Sequence, residues 1–180
     1  MVCPLFYPVD IKKNDLQRLN MNTVNYFLQP GYIVVPEPSV SISTVIGSSV
    51  SICIYDKQNR IGGMNHFQLP YMATKGKTTA VYGNVATKAL IKMMMGHDCK
   101  KKHLEAQIFG GACNPKKTSE DIGRKNIEIA RKILLKAGIS IISEDVGGEK
   151  GRKIVFNTAA NEVAVIKVDS LRDADWYPYQ

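Results

Sequence analysis

Three strand-length apolar segments lie close together between residues 41 and 67, and they constrain the fold more than any other feature of the chain. They span Ser41–Ile46, Val50–Tyr55 and Ile61–Phe67. Residues 56–60, which join the last two, are polar and have the length of a hairpin turn. The pattern predicts antiparallel strands at the beginning of the core, with a short glycine and serine turn, residues 47–49, between the first two segments.

The second half of the chain alternates helices with strands. A helical period runs from about Gly83 to Gly96, and a second spans about Ile122 to Ala137 and ends at Gly138. Further strands are predicted at Tyr32–Val35, Leu104–Phe109, Ile139–Ser143, Lys153–Asn157 and Glu162–Val168. Helices collected on one side of a mixed, largely antiparallel sheet predict a layered α+β architecture.

One globular domain with extensions at both ends is expected from 180 residues, of which 44% are hydrophobic. The predicted domain spans residues 25–168, after an N-terminal extension of residues 1–24 and before a tail of residues 169–180. Leu16 and Leu19 hint at a short amphipathic helix in the extension. We predict neither a secretory signal nor a membrane span, because the start lacks basic residues and the long uncharged run 38–55 is rich in serine.

Charge and cysteine content argue against several classes of function. The formal net charge of +8 predicts an acidic partner or a solubility role, but no aromatic residues interleave the lysine clusters, so nucleic acid is not expected. The four cysteines form no C-x-x-C pair and are expected to be free thiols in a reducing cytosol. His97, Cys99 and His103 lie beside Lys100–Lys102, whose charge opposes a divalent cation, so no metal or cofactor is predicted.

A hydroxyl at Ser43, the turn Gly47–Ser49 and an imidazole at His66 are the components of a hydrolytic site. Acyl transfer needs a nucleophile on a turn, a histidine that takes its proton, and a group that orients the histidine. Residue types alone are weak evidence, since serines on alternating strand positions usually face solvent and a lone histidine is usually structural.

The order and spacing of these motifs resemble the CheD family, the chemoreceptor glutamine deamidases of bacterial and archaeal chemotaxis. His66 follows Ser49 by seventeen residues within Gly63-Met64-Asn65-His66. The resemblance extends over roughly residues 25–168 and includes residues 43–50, Gly110-Gly111-Ala112, Asn126 in residues 122–126, residues 145–148 and Gly151-Arg152.

The resemblance implies both a fold and an activity. It implies a layered α-β-β sandwich similar to the catalytic domain of cytotoxic necrotizing toxins, and hydrolysis of protein glutamine to glutamate without a cofactor. The implied partners are the cytoplasmic domain of methyl-accepting chemotaxis receptors, which basic side chains would attract, and a CheC-type phosphatase. The implied location is the cytoplasm.

The resemblance also assigns site residues. Position 49, a cysteine in the family, carries the nucleophile; His66 is the base, and Ser43 stands in the place of the family's threonine and holds the ring. Gly47, Ser48 and Gly110–Ala112 border the substrate, and backbone N–H groups near Ser49 form the oxyanion hole.

Ser49 in place of cysteine predicts a nearly inactive chain. A site shaped for sulfur is expected to place an oxygen too far from the imidazole and the amide, and such a misplacement of about 1 Å costs roughly 10²-fold. Cys53 faces the same side but about 13 Å along the strand, so it cannot substitute. Ser49 is then either a deliberate cysteine-to-serine change or a natural loss of catalysis with binding retained. Beside a deamidase and a binding partner, a serine hydrolase of small amides or esters is a third hypothesis for the function.

Overall fold

The computed structural model describes residues 25–72, 79–113 and 121–168. These residues contain nine strands and two α-helices. The strands are β1 Asn25–Phe27, β2 Ile33–Val34, β3 Ser41–Ile46, β4 Val50–Asp56, β5 Ile61–Phe67, β6 Leu104–Gly110, β7 Ser140–Val146, β8 Gly151–Asn157 and β9 Glu162–Val168. The helices are α1 Gly83–Gly96 and α2 Ile122–Ala137, and a single 3₁₀ turn, Lys101–His103, precedes β6.

A five-stranded sheet with the order β2-β5-β4-β6-β7 forms the middle of the molecule. Its central strand β4 is antiparallel to both β5 and β6, and β7 is parallel to β6. Every residue of β4 is buried, which explains the nearly continuous apolar run at this position of the sequence. The hairpin expected between β4 and β5 is confirmed.

A second sheet, with the order β1-β3-β8-β9, lies against the first. Its β3 and β8 are antiparallel, as are β8 and β9. The consecutive strands β3 and β4 therefore belong to different sheets, and residues 47–49 form the corner at which the chain passes from one sheet to the other.

Two hydrophobic clusters separate three layers. One cluster lies between the helices and the central sheet and includes Ile52, Ile54, Leu90, Met94, Ala130 and Leu134. The other lies between the two sheets and includes Ile42, Cys53, Met64, Phe109, Ile154 and Phe156. The order helices, sheet, sheet confirms the α+β class and the α-β-β layering expected from the sequence.

Local signals explain why α2 begins and ends where it does. The Asp121 side chain accepts a hydrogen bond of 2.8 Å from the backbone N–H of Arg124, which satisfies a free donor of the first turn. Gly138 adopts a left-handed conformation with φ of 73° and ends the helix.

The described residues fall within the predicted domain of residues 25–168. The two predicted extensions, with the amphipathic helix expected around Leu16 and Leu19, lie outside the described residues. Within the described ranges, neither helix has the length and apolar character that a membrane span requires.

Candidate active site

Ser49 lies at the corner between the two sheets, directly before β4, and only 5% of its surface is exposed. His66, near the end of β5, is fully buried. Across the β4–β5 ladder, His66 pairs with Ser51, which follows Ser49 by two residues. The ladder therefore brings the imidazole beside the corner. The hairpin thus places a hydroxyl and an imidazole together although they are distant in sequence.

A continuous chain of hydrogen bonds links the corner to β3 through the imidazole. His66 Nε2 lies 2.8 Å from Ser49 Oγ, and His66 Nδ1 lies 2.9 Å from Thr44 Oγ1. The Thr44 hydroxyl donates to the carbonyl oxygen of Leu28 at 2.8 Å. A hydroxyl has one proton to donate, so Thr44 Oγ1 accepts from Nδ1–H. The network therefore leaves Nε2 unprotonated and able to accept the proton of Ser49.

Burial keeps the His66 imidazole neutral. Desolvation lowers the pKa of His66 to about 4, and a hydrogen bond to the Leu28 carbonyl opposes this shift without overcoming it. At neutral pH the ring is thus in the form that accepts a proton.

Thr44, and not Ser43, contacts the imidazole, which corrects the position expected for the orienting hydroxyl. Side chains alternate between the two faces of a strand, and the inner face of β3 carries the buried residues Ile42, Thr44 and Ile46. Ser43 falls on the opposite face, where it pairs with Val155 of β8 and is only partly buried. The signal for Thr44 was present in the sequence, because it continues the apolar alternation that includes Ile42.

The oxygen of Ser49 is within hydrogen-bonding distance of the imidazole, so the expectation that it would lie too far away is wrong. Ser49 is itself buried at the corner, where its hydroxyl contacts His66 Nε2. Cys53 is buried in the cluster between the sheets, and desolvation raises the pKa of its thiol. A buried, protonated thiol is a poor nucleophile.

Three carbonyl groups of the corner are held from one side. The N–H of Ala112 donates to Gly47 O and the N–H of Gly111 donates to Ser49 O, each at 2.8 Å. Asn126 Nδ2 donates to Ser48 O at 3.0 Å. In a trans peptide the N–H points opposite to the preceding carbonyl. The N–H groups of Ser48 and Ser49 are therefore directed away from these donors.

The glycines at the end of β6, Gly110 and Gly111, allow the corner to approach closely. Gly110 has a φ of +107°, and a Cβ at this residue would overlap with the carbonyl oxygen of Ser49. Gly111 has a φ of +66°, and a Cβ at this residue would clash with the Ile127 side chain. The structure thus brings residues Gly47, Ser48 and Gly110–Ala112 together with Ser49.

The described residues contain no group of three or more histidine, cysteine, aspartate or glutamate side chains that could hold a metal ion. His97, named above as a conceivable ligand, instead lies 2.9 Å from Glu37 through its Nδ1.

The fold and this hydrogen-bonded chain define a layered α+β protein whose site has the hydroxyl, imidazole and orienting hydroxyl typical of acyl-transfer enzymes. Residues 68–167 match the family model described as CheD chemotactic sensory transduction. A relative from Trichlorobacter lovleyi is 40% identical over 141 residues, which cover 77% of this chain and 87% of the relative. The chain belongs to the CheD family.

A second relative agrees on the family. A relative from Sulfurimonas denitrificans is 39% identical over 133 residues, covering 72% of this chain and 85% of the relative. Both relatives are named "Probable chemoreceptor glutamine deamidase CheD". Among solved structures, the hypothetical protein YfiH of Bacillus licheniformis aligns with 59% of this chain and 46% of its own, with a TM-score of 0.39 and 13% identity.

Proposed function

We propose that this chain is built as a chemoreceptor glutamine deamidase, which hydrolyses the side-chain amide of protein glutamine to glutamate and ammonia. The observation that carries the proposal is the hydrogen-bonded chain from Leu28 O through Thr44 and His66 to the side chain of position 49. The names of the relatives support the substrate class. The proposed substrate is the cytoplasmic domain of a chemotaxis receptor, and the proposed location is therefore the cytoplasm.

The reaction begins with attack by the side chain of position 49 on the amide carbon. As this bond forms, His66 Nε2 takes the proton of the nucleophile. The N–H groups of Ser48 and Ser49, directed away from the donors that hold the corner, bind the developing oxyanion. The C–N bond then breaks, and Nε2 returns its proton to the departing ammonia. Attack by water on the acyl intermediate releases glutamate and restores the side chain.

Serine at position 49 makes the first step slow even though the hydrogen bond to His66 is formed. Proton transfer creates an imidazolium in a buried position where the pKa of His66 is about 4. On the other side of the ring, His66 Nδ1 contacts the neutral hydroxyl of Thr44, in the position that a carboxylate occupies in serine triads. In serine triads, loss of the carboxylate lowers kcat about 10⁴-fold. We therefore propose that the Ser49 chain is nearly inactive.

A thiol lowers this barrier. Its ordinary pKa of about 8.5 lies far below that of an alcohol, so less free energy is needed to move its proton to His66, and the thiolate stabilises the imidazolium that forms. Ser49→Cys is thus expected to raise the rate on the order of 10³-fold or more. The measurement is ammonia release from a receptor cytoplasmic fragment, with glutamate identified by peptide mass spectrometry.

The matched control is Ser48→Cys, which places a thiol on the adjacent, exposed residue. It is expected to remain as slow as the Ser49 chain. Adding His66→Asn to Ser49→Cys should abolish the gain. The enzymatic proposal would be refuted by a Ser49→Cys variant that is folded, as cooperative unfolding shows, and still forms no glutamate.

Ser49 itself favours a second function, that of a catalytically silent partner of receptors and of a CheC-type phosphatase. Binding does not require the proton transfer, so capture of the phosphatase or the receptor fragment should survive His66→Asn. Binding that survives this change, together with a Ser49→Cys variant that forms no glutamate, would support regulation by docking over catalysis.

A further inference from the structure

We propose that Asn126 is a positioning residue that sets the distance between the side chain of position 49 and the imidazole of His66. The inference rests on the proposed function, because it concerns the reacting pair of that site. The Asn126 Nδ2 donates two hydrogen bonds, one of 3.0 Å to Ser48 O and one of 2.8 Å to Gln68 O. Ser48 precedes the nucleophile, and Gln68 follows His66 by two residues.

Asn126 connects two segments at the point where the sheet stops connecting them. The ladder between β4 and β5 runs from the pair Asp56 and Ile61 to the pair Val50 and Phe67. Ser48 and Gln68 lie beyond its last pair. The side-chain amide of Asn126 bridges their carbonyl groups there and takes the place of a further rung. Without this bridge, the corner and the end of β5 can separate without breaking the ladder.

The bridge is rigid because Asn126 is fully buried and its helix is anchored. Gly123, one turn earlier on α2, packs so closely on Gly111 that a Cβ there would overlap with the Gly111 carbonyl oxygen. Gly111 in turn donates to Ser49 O. Helix α2 therefore holds the corner both through Asn126 and through the segment after β6.

The amide has one functional orientation. Both acceptors are carbonyl oxygens, so the NH₂ group must face them, and Asn126 Oδ1 is buried without a hydrogen-bond partner among the described residues. Aspartate has the same shape but would place an oxygen against two oxygens. Asn126→Asp therefore removes the hydrogen bonds and keeps the packing but adds a carboxylate near the thiol, whereas Asn126→Ala removes the hydrogen bonds and the packing without adding charge.

The experiment measures the pH profile of thiol alkylation in the Ser49→Cys background. Iodoacetamide reacts with the thiolate, and peptide mass spectrometry reports the thiol at position 49 apart from the other cysteines. Because the thiol can pass its proton to His66 Nε2, its pKa is expected to lie below that of the reference, Ser49→Cys with His66→Asn, which lacks this contact. Adding Asn126→Asp or Asn126→Ala should move the midpoint toward the reference and slow alkylation at pH 7 about tenfold or more.

The control is Thr87→Val, which alters another fully buried polar helix residue whose hydroxyl has no hydrogen-bond partner among the described residues. Its alkylation profile should match that of Ser49→Cys alone. A lower melting temperature with an unchanged profile in the Asn126 variants would show a merely structural residue and overturn the proposal. Where Asn126→Asp does not fold, Asn126→Ala decides by the same criterion.

A second readout uses the chain with Ser49 in place. The nitrogen resonances of the His66 ring report the hydrogen bond at Nε2, and Asn126→Ala should shift Nε2 toward the value of an unbonded imidazole nitrogen. An unchanged resonance would overturn the proposal. A displaced alkylation profile without glutamate formation refutes only the deamidase proposal, whereas glutamate formation with an undisplaced profile refutes only the role of Asn126.

Discussion

At the scale of single residues, the site depends on which hydroxyl faces the imidazole. The Thr44 hydroxyl lies between His66 Nδ1 and the Leu28 carbonyl, and this arrangement sets the tautomer of the ring. Ser43, one position earlier, belongs to the other face of β3. A shift of one residue along a strand changes the face completely, so neighbouring hydroxyls in one sequence motif have unrelated surroundings.

Thr44→Val keeps the shape of the side chain and removes the hydroxyl. We expect it to lower the free energy of unfolding by about 1–3 kcal/mol, because polar groups are left unpaired in the interior. In the Ser49→Cys background it should also slow ammonia release on the order of 10²-fold, because the ring loses a partner that orients it. Ser43→Ala is the control and should change stability by less than about 0.5 kcal/mol. Urea denaturation and the ammonia assay test both variants. An effect of Ser43→Ala larger than that of Thr44→Val would indicate that Ser43 orients the ring.

At the scale of elements, the site forms where three segments meet: the corner between the sheets, the glycines at the end of β6 and the first turns of α2. The corner carbonyls accept hydrogen bonds from the N–H groups of Gly111 and Ala112 and from the side chain of Asn126. Each segment is recognisable in the sequence as a glycine turn or a helix start. Their meeting is not, because contacts this distant in sequence follow from how the sheets and helices stack.

Gly110→Ala tests how closely the end of β6 must approach the corner. The new Cβ would overlap with the Ser49 carbonyl, and its φ of +107° is strained for any residue with a side chain. We expect a loss of stability on the order of 2–4 kcal/mol by urea denaturation. Gly96→Ala, at the end of α1 where a Cβ would meet nothing within 4 Å, is the matched control and should be neutral or stabilising by up to about 1 kcal/mol. Equal effects of the two changes would contradict the close approach.

At the scale of the whole molecule, the sandwich of two sheets buries the imidazole and so makes stability depend on pH. The pKa of His66 falls to about 4 in the folded chain from an ordinary value of 6.5, because burial disfavours the charged ring. Between these two values the unfolded chain binds more protons than the folded chain. The stabilising contribution is therefore complete above pH 6.5 and is lost as the pH falls toward 4.

The difference in proton binding predicts a loss of about 3 kcal/mol in the free energy of unfolding between pH 6.5 and 4. Urea denaturation over this range, compared with His66→Gln, isolates the contribution of the ring. The variant should show a shallower dependence on pH, whatever its stability at neutral pH. The carboxyl groups of Asp56 and Asp145 have lowered pKa values, so their contribution is lost at still lower pH. Parallel pH profiles for the two proteins would contradict the burial of a neutral imidazole.

Local patterns in the sequence determined the elements: the helical periods from Gly83 and from Ile122, and the β4–β5 hairpin. These features depend on residues close together in the chain, where periodicity and turn composition act directly. Only the tertiary structure decided that β3 and β4 lie in different sheets, that the buried face of β3 meets the imidazole of His66, and that Asn126 bridges the corner to β5. These features arise from packing between layers, which joins distant segments and leaves no spacing rule in the sequence.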